Sequence, residues 1–107
     1  MISTLQKNAT EEAVIRRIID DLDLPEVVKE YRLSLRDDNF GDPGVYILFL
    51  LDDSLNDEEA GNIMDRLRFP VMDAILQSPQ TERFPFPSFR RHSQQVAIER
   101  SNNGVNW

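Results

Sequence analysis

Residues 31–53 read YRLSLRDDNFGDPGVYILFLLDD, and this stretch sets the architecture. From Tyr31 to Arg36 apolar and polar residues alternate, with Tyr31, Leu33 and Leu35 on one side and Arg32, Ser34 and Arg36 on the other. That is the period of a half-buried strand. From Val45 to Leu51 the alternation stops, and an unbroken apolar run (Val45, Tyr46, Ile47, Leu48, Phe49, Leu50, Leu51) puts bulk on both faces. Such a run belongs to a central strand with cover on each side. Between the two lies DDNFGDPG, in which Pro43 and Gly44 suit the central positions of a type II turn begun at Asp42. The stretch therefore reads as a β-hairpin.

Outward from the hairpin, helices are expected on both flanks. Residues 1–8 carry little pattern and are expected to be a flexible lead-in. Asn8 or Thr10 can cap a helix whose apolar positions Val14, Ile15, Ile18, Ile19 and Leu22 recur at helical spacing. Pro25 closes it near Leu24, because the residue before proline disfavours helix. Glu26 to Glu30 reads as a short turn or the opening of the first strand, and Val27, in phase with Tyr31, favours the strand.

Beyond Asp53, Ser54 with Asp57 or Asn56 with Glu59 forms a capping box for a helix through Ala60, Ile63, Met64 and Leu67. Pro70 is expected to kink or break that helix and to start a second short one running to about Gln77. RFPFPSFR, residues 83–90, then reads as an edge strand tolerating Pro85 and Pro87, followed by a strand, helical turn or tail. The expectation is a single α+β domain over residues 1–107 in helix-hairpin-helix-strand order. Its sheet would be antiparallel, of about three strands, and covered by two helices, with residues from about 101 to 107 flexible.

Composition narrows the chemistry. The chain has 107 residues and a net charge of −7, with 16 acidic and 6 basic side chains in residues 1–65 against 3 acidic and 6 basic in residues 66–107. An acidic body disfavours nonspecific nucleic-acid binding, whereas a basic C-terminal part suits an acidic partner, including a second copy of the chain. There are no cysteines and one histidine, His92, which excludes thiolate sites and multi-histidine zinc arrangements. With no signal pattern at the N-terminus and no bilayer-length apolar run, the cytoplasm is the expected compartment and no membrane is involved.

No catalytic constellation, metal site or cofactor motif is assigned. Asp37, Asp38 and Asp42 lie in the hairpin loop and Asp52 and Asp53 at the other end of the strand, so a hairpin keeps the two acidic groups apart. The partner-binding candidates are Phe84, Phe86, Phe89, Arg90, Arg91 and Trp107, aromatics interleaved with cations. The reading is a non-catalytic accessory protein that binds another protein or itself. One alternative is a divalent-metal-dependent enzyme or enzyme subunit using Asp52 and Asp53. Another is nucleic-acid binding through Arg83, Arg90, Arg91 and Arg100, with Phe89 available to stack.

The order of elements is similar to the type II KH topology, although RFPV at residues 68–71 stands where KH domains carry GxxG. DNFGDPGVYILFLLDD, residues 38–53, with its acidic-capped helix from Asp57, resembles small uncharacterised bacterial proteins carrying a D-x-x-G-D-P hairpin. That resemblance implies an accessory role beside nucleotidyltransferase-type or toxin–antitoxin gene products and transfers no catalytic residues.

Overall fold

A computed structural model describes residues 4–101. The elements are α1 (Thr4–Asp20), β1 (Val28–Asp37), β2 (Pro43–Leu51), α2 (Asp57–Leu76), β3 (Phe84–Arg91) and α3 (His92–Ser101). They form an α+β fold around one three-stranded sheet of order β1-β2-β3. The strand of seven consecutive apolar residues is at its centre, as the missing alternation requires.

β1 and β2 pair antiparallel with Leu33 opposite Ile47 and Arg36 opposite Gly44. β3, however, runs parallel to β2, pairing Phe86 with Tyr46 and Phe89 with Phe49. The all-antiparallel expectation is thus corrected to a mixed sheet. The cause is the length of α2: its 20 residues extend about 30 Å, enough to carry the chain back along β2 so that β3 starts from the same end.

The connection inside the hairpin also differs from expectation. Pro43 and Gly44 are the first two residues of β2, and the reversal falls earlier, over Asp38 to Gly41. The Gly41 amide donates to the Asp38 carbonyl at 3.1 Å, and the Asp38 amide to the Asp42 carbonyl at 2.8 Å. The Asp38 carboxylate accepts from the amides of Phe40 and Asp42, and Gly41 takes φ +82°. Asp38 thereby satisfies amides the turn would leave open, and Gly41 supplies the left-handed residue expected of Gly44.

Two helix boundaries move as well. α1 begins at Thr4, before the expected caps, and ends at Asp20, with Asp23 at φ 56° in the reversal that precedes Pro25. α2 passes through Pro70 without a second helix, so the expected break is absent; Pro70 is solvent-exposed, and the helix is held beyond it by buried Val71 and Ile75. The capping box at its start is the Asn56–Glu59 pair, each side chain bonding the other's backbone amide at 2.8 and 3.0 Å.

The core lies between one sheet face and helices α1 and α2. Val45, Ile47 and Phe49 point into it from β2, and Ile15, Ile19, Val71 and Ile75 meet them from the helices, all fully buried. A register shift between Val28 and Glu30 lets Val28 face the same core as Tyr31, which strict alternation would forbid. Val27 belongs to the turn before β1, so the strand starts one residue later than the phase suggested.

The opposite face is not bare, because a third helix, α3, follows β3 directly and folds onto it. Leu48 and Leu50 of the central strand, which lie on that face beneath α3, are 2% and 0% exposed. Cover by two helices alone is therefore corrected to three, and the segment left open as strand, helix or tail is a helix to Ser101. Trp107 and the rest of 102–107 lie outside the described residues.

Candidate functional site

The second sheet face divides into a half roofed by α3 and a half that α3 leaves open. In the roofed half, Glu99 reaches Arg32 at 3.2 Å and His92 reaches Glu30 at 3.2 Å, tying both ends of the helix to β1. Arg90 donates to the Oε1 of Gln95, whose side chain is completely buried and whose Nε2 has no hydrogen-bond partner. Arg32 also grips Glu30 at 2.6 Å, and this contact holds the Glu30 carboxyl below the ordinary carboxylate range and raises Arg32.

In the open half an arginine and three aromatics form one strip across all three strands. The Arg36 guanidinium of β1 sits 4.0 Å above the Tyr46 ring of β2. Tyr46 stacks on Phe86 of β3 at 4.8 Å between centroids, with 15° between planes, and Phe86 meets Phe84 at 5.2 Å, tilted by 54°. The parallel register sets Tyr46 opposite Phe86, and the face alternation of each strand does the rest. Gly44 makes room for the strip: a Cβ there would fall 3.0 Å from Phe86 Cε2 and 3.2 Å from the Arg36 carbonyl. Phe84 is 45% exposed at the strip's end, and Phe40, at the hairpin tip beyond the same end of the sheet, is 89% exposed.

The structure divides the sequence-derived candidates. Phe84 and Phe86 lie together in the strip. Phe89 points to the other face, stacked on core residue Phe49 at 5.4 Å with Arg68 over it. Arg90 is occupied by Gln95, and Arg91 by the Leu55 carbonyl and Asp57. Both arginines therefore join elements to each other, and neither contributes to the strip. Arg36 and Tyr46 were not among the sequence candidates; the alternation that places Arg36 on this face of β1 was visible, but the register that brings it and Tyr46 to Phe86 was not.

The acidic residues take structural posts. Asp52 accepts from the Ser54 amide at 2.8 Å and pairs with Lys29 at 3.1 Å, and these contacts, the amide first, lower its carboxyl to about 2. Asp53 accepts from the Ser93 amide at 3.2 Å, at the start of α3. The antiparallel hairpin keeps both at the far end from Asp37, Asp38 and Asp42. Among the described residues, no three acidic or histidine side chains gather as a metal site.

An open cleft of about 360 Å³ lies between Pro43, Pro79 and Arg83. Its charged pair is spent internally: Arg83 donates to Glu11 at 2.7 Å and to the Gly44 carbonyl at 3.1 Å. No described helix is long and apolar enough to cross a membrane. Comparison with protein-family models, with curated proteins and with solved structures gave no match.

Proposed function

We propose that the protein is a non-catalytic accessory protein that holds another polypeptide on the strip formed by Arg36, Tyr46, Phe86 and Phe84. The observation that carries this reading is the strip itself: stacked rings, capped by a cation, at the part of the sheet α3 leaves unroofed. Rings already stacked lose little further freedom on binding, which is why aromatic and arginine side chains anchor protein contacts. The D-x-x-G-D-P hairpin, with the accessory role its resemblance implies, supports the same reading.

The alternatives draw less support. Asp52 and Asp53 are engaged by Lys29 and by backbone amides, which leaves a metal-dependent reaction without converging ligands. Of the arginines offered for nucleic acid, Arg83, Arg90 and Arg91 are bound within the chain.

A photo-crosslinking residue placed at Phe84 tests the proposal, with one at Phe69 as control, since Phe69 is 67% exposed on α2 away from the strip. Discrete adducts are expected from position 84 and should be competed away by unlabelled protein. Equal adduct patterns from both positions, or none from position 84, would refute it.

A further inference from the structure

β1 is an edge strand with no strand on its outer side among the described residues, and its regular part spans Glu30 to Asp37. Its hydrogen-bonding phase follows from the hairpin. The Asp38 amide bonds the Asp42 carbonyl, and strand partners alternate, so the even-numbered residues of β1 direct their backbone groups to β2. The N–H and C=O groups of Tyr31, Leu33 and Leu35 accordingly face outward along the open edge. Their side chains lie at the rim of the core and are only half-buried.

An open edge of this length is a template for another strand, and proteins that avoid pairing blunt it with like charges, prolines or a bulge. β3, the other edge, is blunted by Pro85 and Pro87. On β1 the bulge lies between Val28 and Glu30, outside the regular segment, and the charges are of mixed sign.

The order of those charges is self-complementary. If a second β1 runs antiparallel with Leu33 opposite Leu33, Tyr31 falls opposite Leu35, Arg32 opposite Ser34 and Glu30 opposite Arg36. Moving the two-fold centre by one residue spoils this, setting Arg32 against Arg32 in one direction and against Arg36 in the other. The Leu33 centre also matches the backbone phase, because it makes Leu33–Leu33 and both Tyr31–Leu35 pairs the hydrogen-bonded ones. Glu30 and Arg36 then form non-hydrogen-bonded pairs, where opposed side chains come closest, and the Glu30 carboxylate, which holds Arg32 and His92 in its own chain, adds Arg36 of the second copy as a further cation.

We propose that the outer edge of β1 is a pairing site for a second copy of this chain, the two strands running antiparallel about Leu33. The pairing merges two three-stranded sheets into one and sets both aromatic strips on the same face, at opposite ends. The stacked rings of the strip stay open in one copy or two, and only Arg36 belongs to both surfaces, so Glu30→Arg, outside the strip, tests the pairing apart from what the strip binds.

Charge-swapped variants test the pairing by sedimentation across a concentration series, with circular dichroism to confirm the fold of each. Glu30→Arg alone and Arg36→Glu alone each place like charges at both symmetric pairs, so each should self-associate about tenfold more weakly than wild type. Mixed together they restore opposite charges at both pairs and should form a heterodimer of near wild-type strength. A second measurement needs no variant: hydrogen exchange at the Leu33 and Leu35 amides should slow as wild-type concentration rises, while the Ser34 amide, already turned to β2, should not change. A wild type monomeric at every concentration, a dimer indifferent to both substitutions, a mixture that does not recover, or Leu33 and Leu35 exchange independent of concentration would overturn the pairing.

Discussion

Gly44→Ala is expected to destabilise the fold through a collision across the sheet. The added methyl would sit 3.0 Å from Phe86 Cε2 and 3.2 Å from the Arg36 carbonyl, and the carbonyl is fixed by the ladder. Overpacking of this size costs about 1–3 kcal/mol, while replacing glycine in a strand returns about 0.5 kcal/mol of chain entropy. A net loss of about 1 kcal/mol follows, which at a urea slope of about 1–3 kcal/mol per molar lowers the midpoint by roughly 0.5 M. A double-mutant cycle isolates the cause. In a Phe86→Leu background the ring edge is gone and the carbonyl remains, so the cost of Gly44→Ala should fall to about half. Gly41→Ala is the control: no atom lies within 4 Å of its Cβ, and its loss, about 1 kcal/mol, comes from φ +82° alone and should be the same in both backgrounds. Urea melts of the set decide. A neutral Gly44→Ala, or an equal cost with and without the Phe86 ring, would refute the close approach of β2 and β3 on which the aromatic strip depends.

Asn56→Ala removes one side of the capping box and should cost about 1 kcal/mol, read as a lower thermal midpoint, with Asn56→Asp close to neutral. Tyr31 is raised to about 12, first by burial and then by its hydrogen bond to Asp20 at 2.8 Å, so its neutral form is favoured in the folded chain. The stability it contributes is complete below about 10, its usual value, and is lost as pH rises through about 12; alkaline melts should show this limb, and Tyr31→Phe should flatten it.

The hairpin and the central place of β2 were legible because alternation and its absence are local signals, and the start of α2 was narrowed to two capping boxes, Ser54 with Asp57 or Asn56 with Glu59, of which the structure uses the second. What was missed depended on context. DDNFGDPG offered two glycines for one left-handed position, and Asp38, whose carboxylate binds two amides, settled the turn on Gly41 where Pro43–Gly44 had looked sufficient. Pro70 was read by its lost hydrogen bond, but Val71 and Ile75 anchor the helix past it. The direction of β3 was invisible locally: RFPFPSFR is an edge strand either way, and only the unbroken length of α2 makes it parallel. The candidate site inherited that uncertainty, since a parallel register puts Phe86 on Tyr46 and turns Phe89 into the core.

The mixed sheet also orders events during synthesis. β1 and β2 are neighbours in sequence and can close as a hairpin within microseconds. The second side of β2 must wait for Phe84 to Arg91, which reach it only after α2 has closed a long loop. Until then the most apolar strand of the chain has one unpaired edge, one face that only α1 can cover and one with no cover at all, the arrangement that adheres to other nascent chains. A ribosome that pauses when the emerged chain ends between residues 52 and 83 would hold the protein at its stickiest stage, where a holdase would protect the exposed strand.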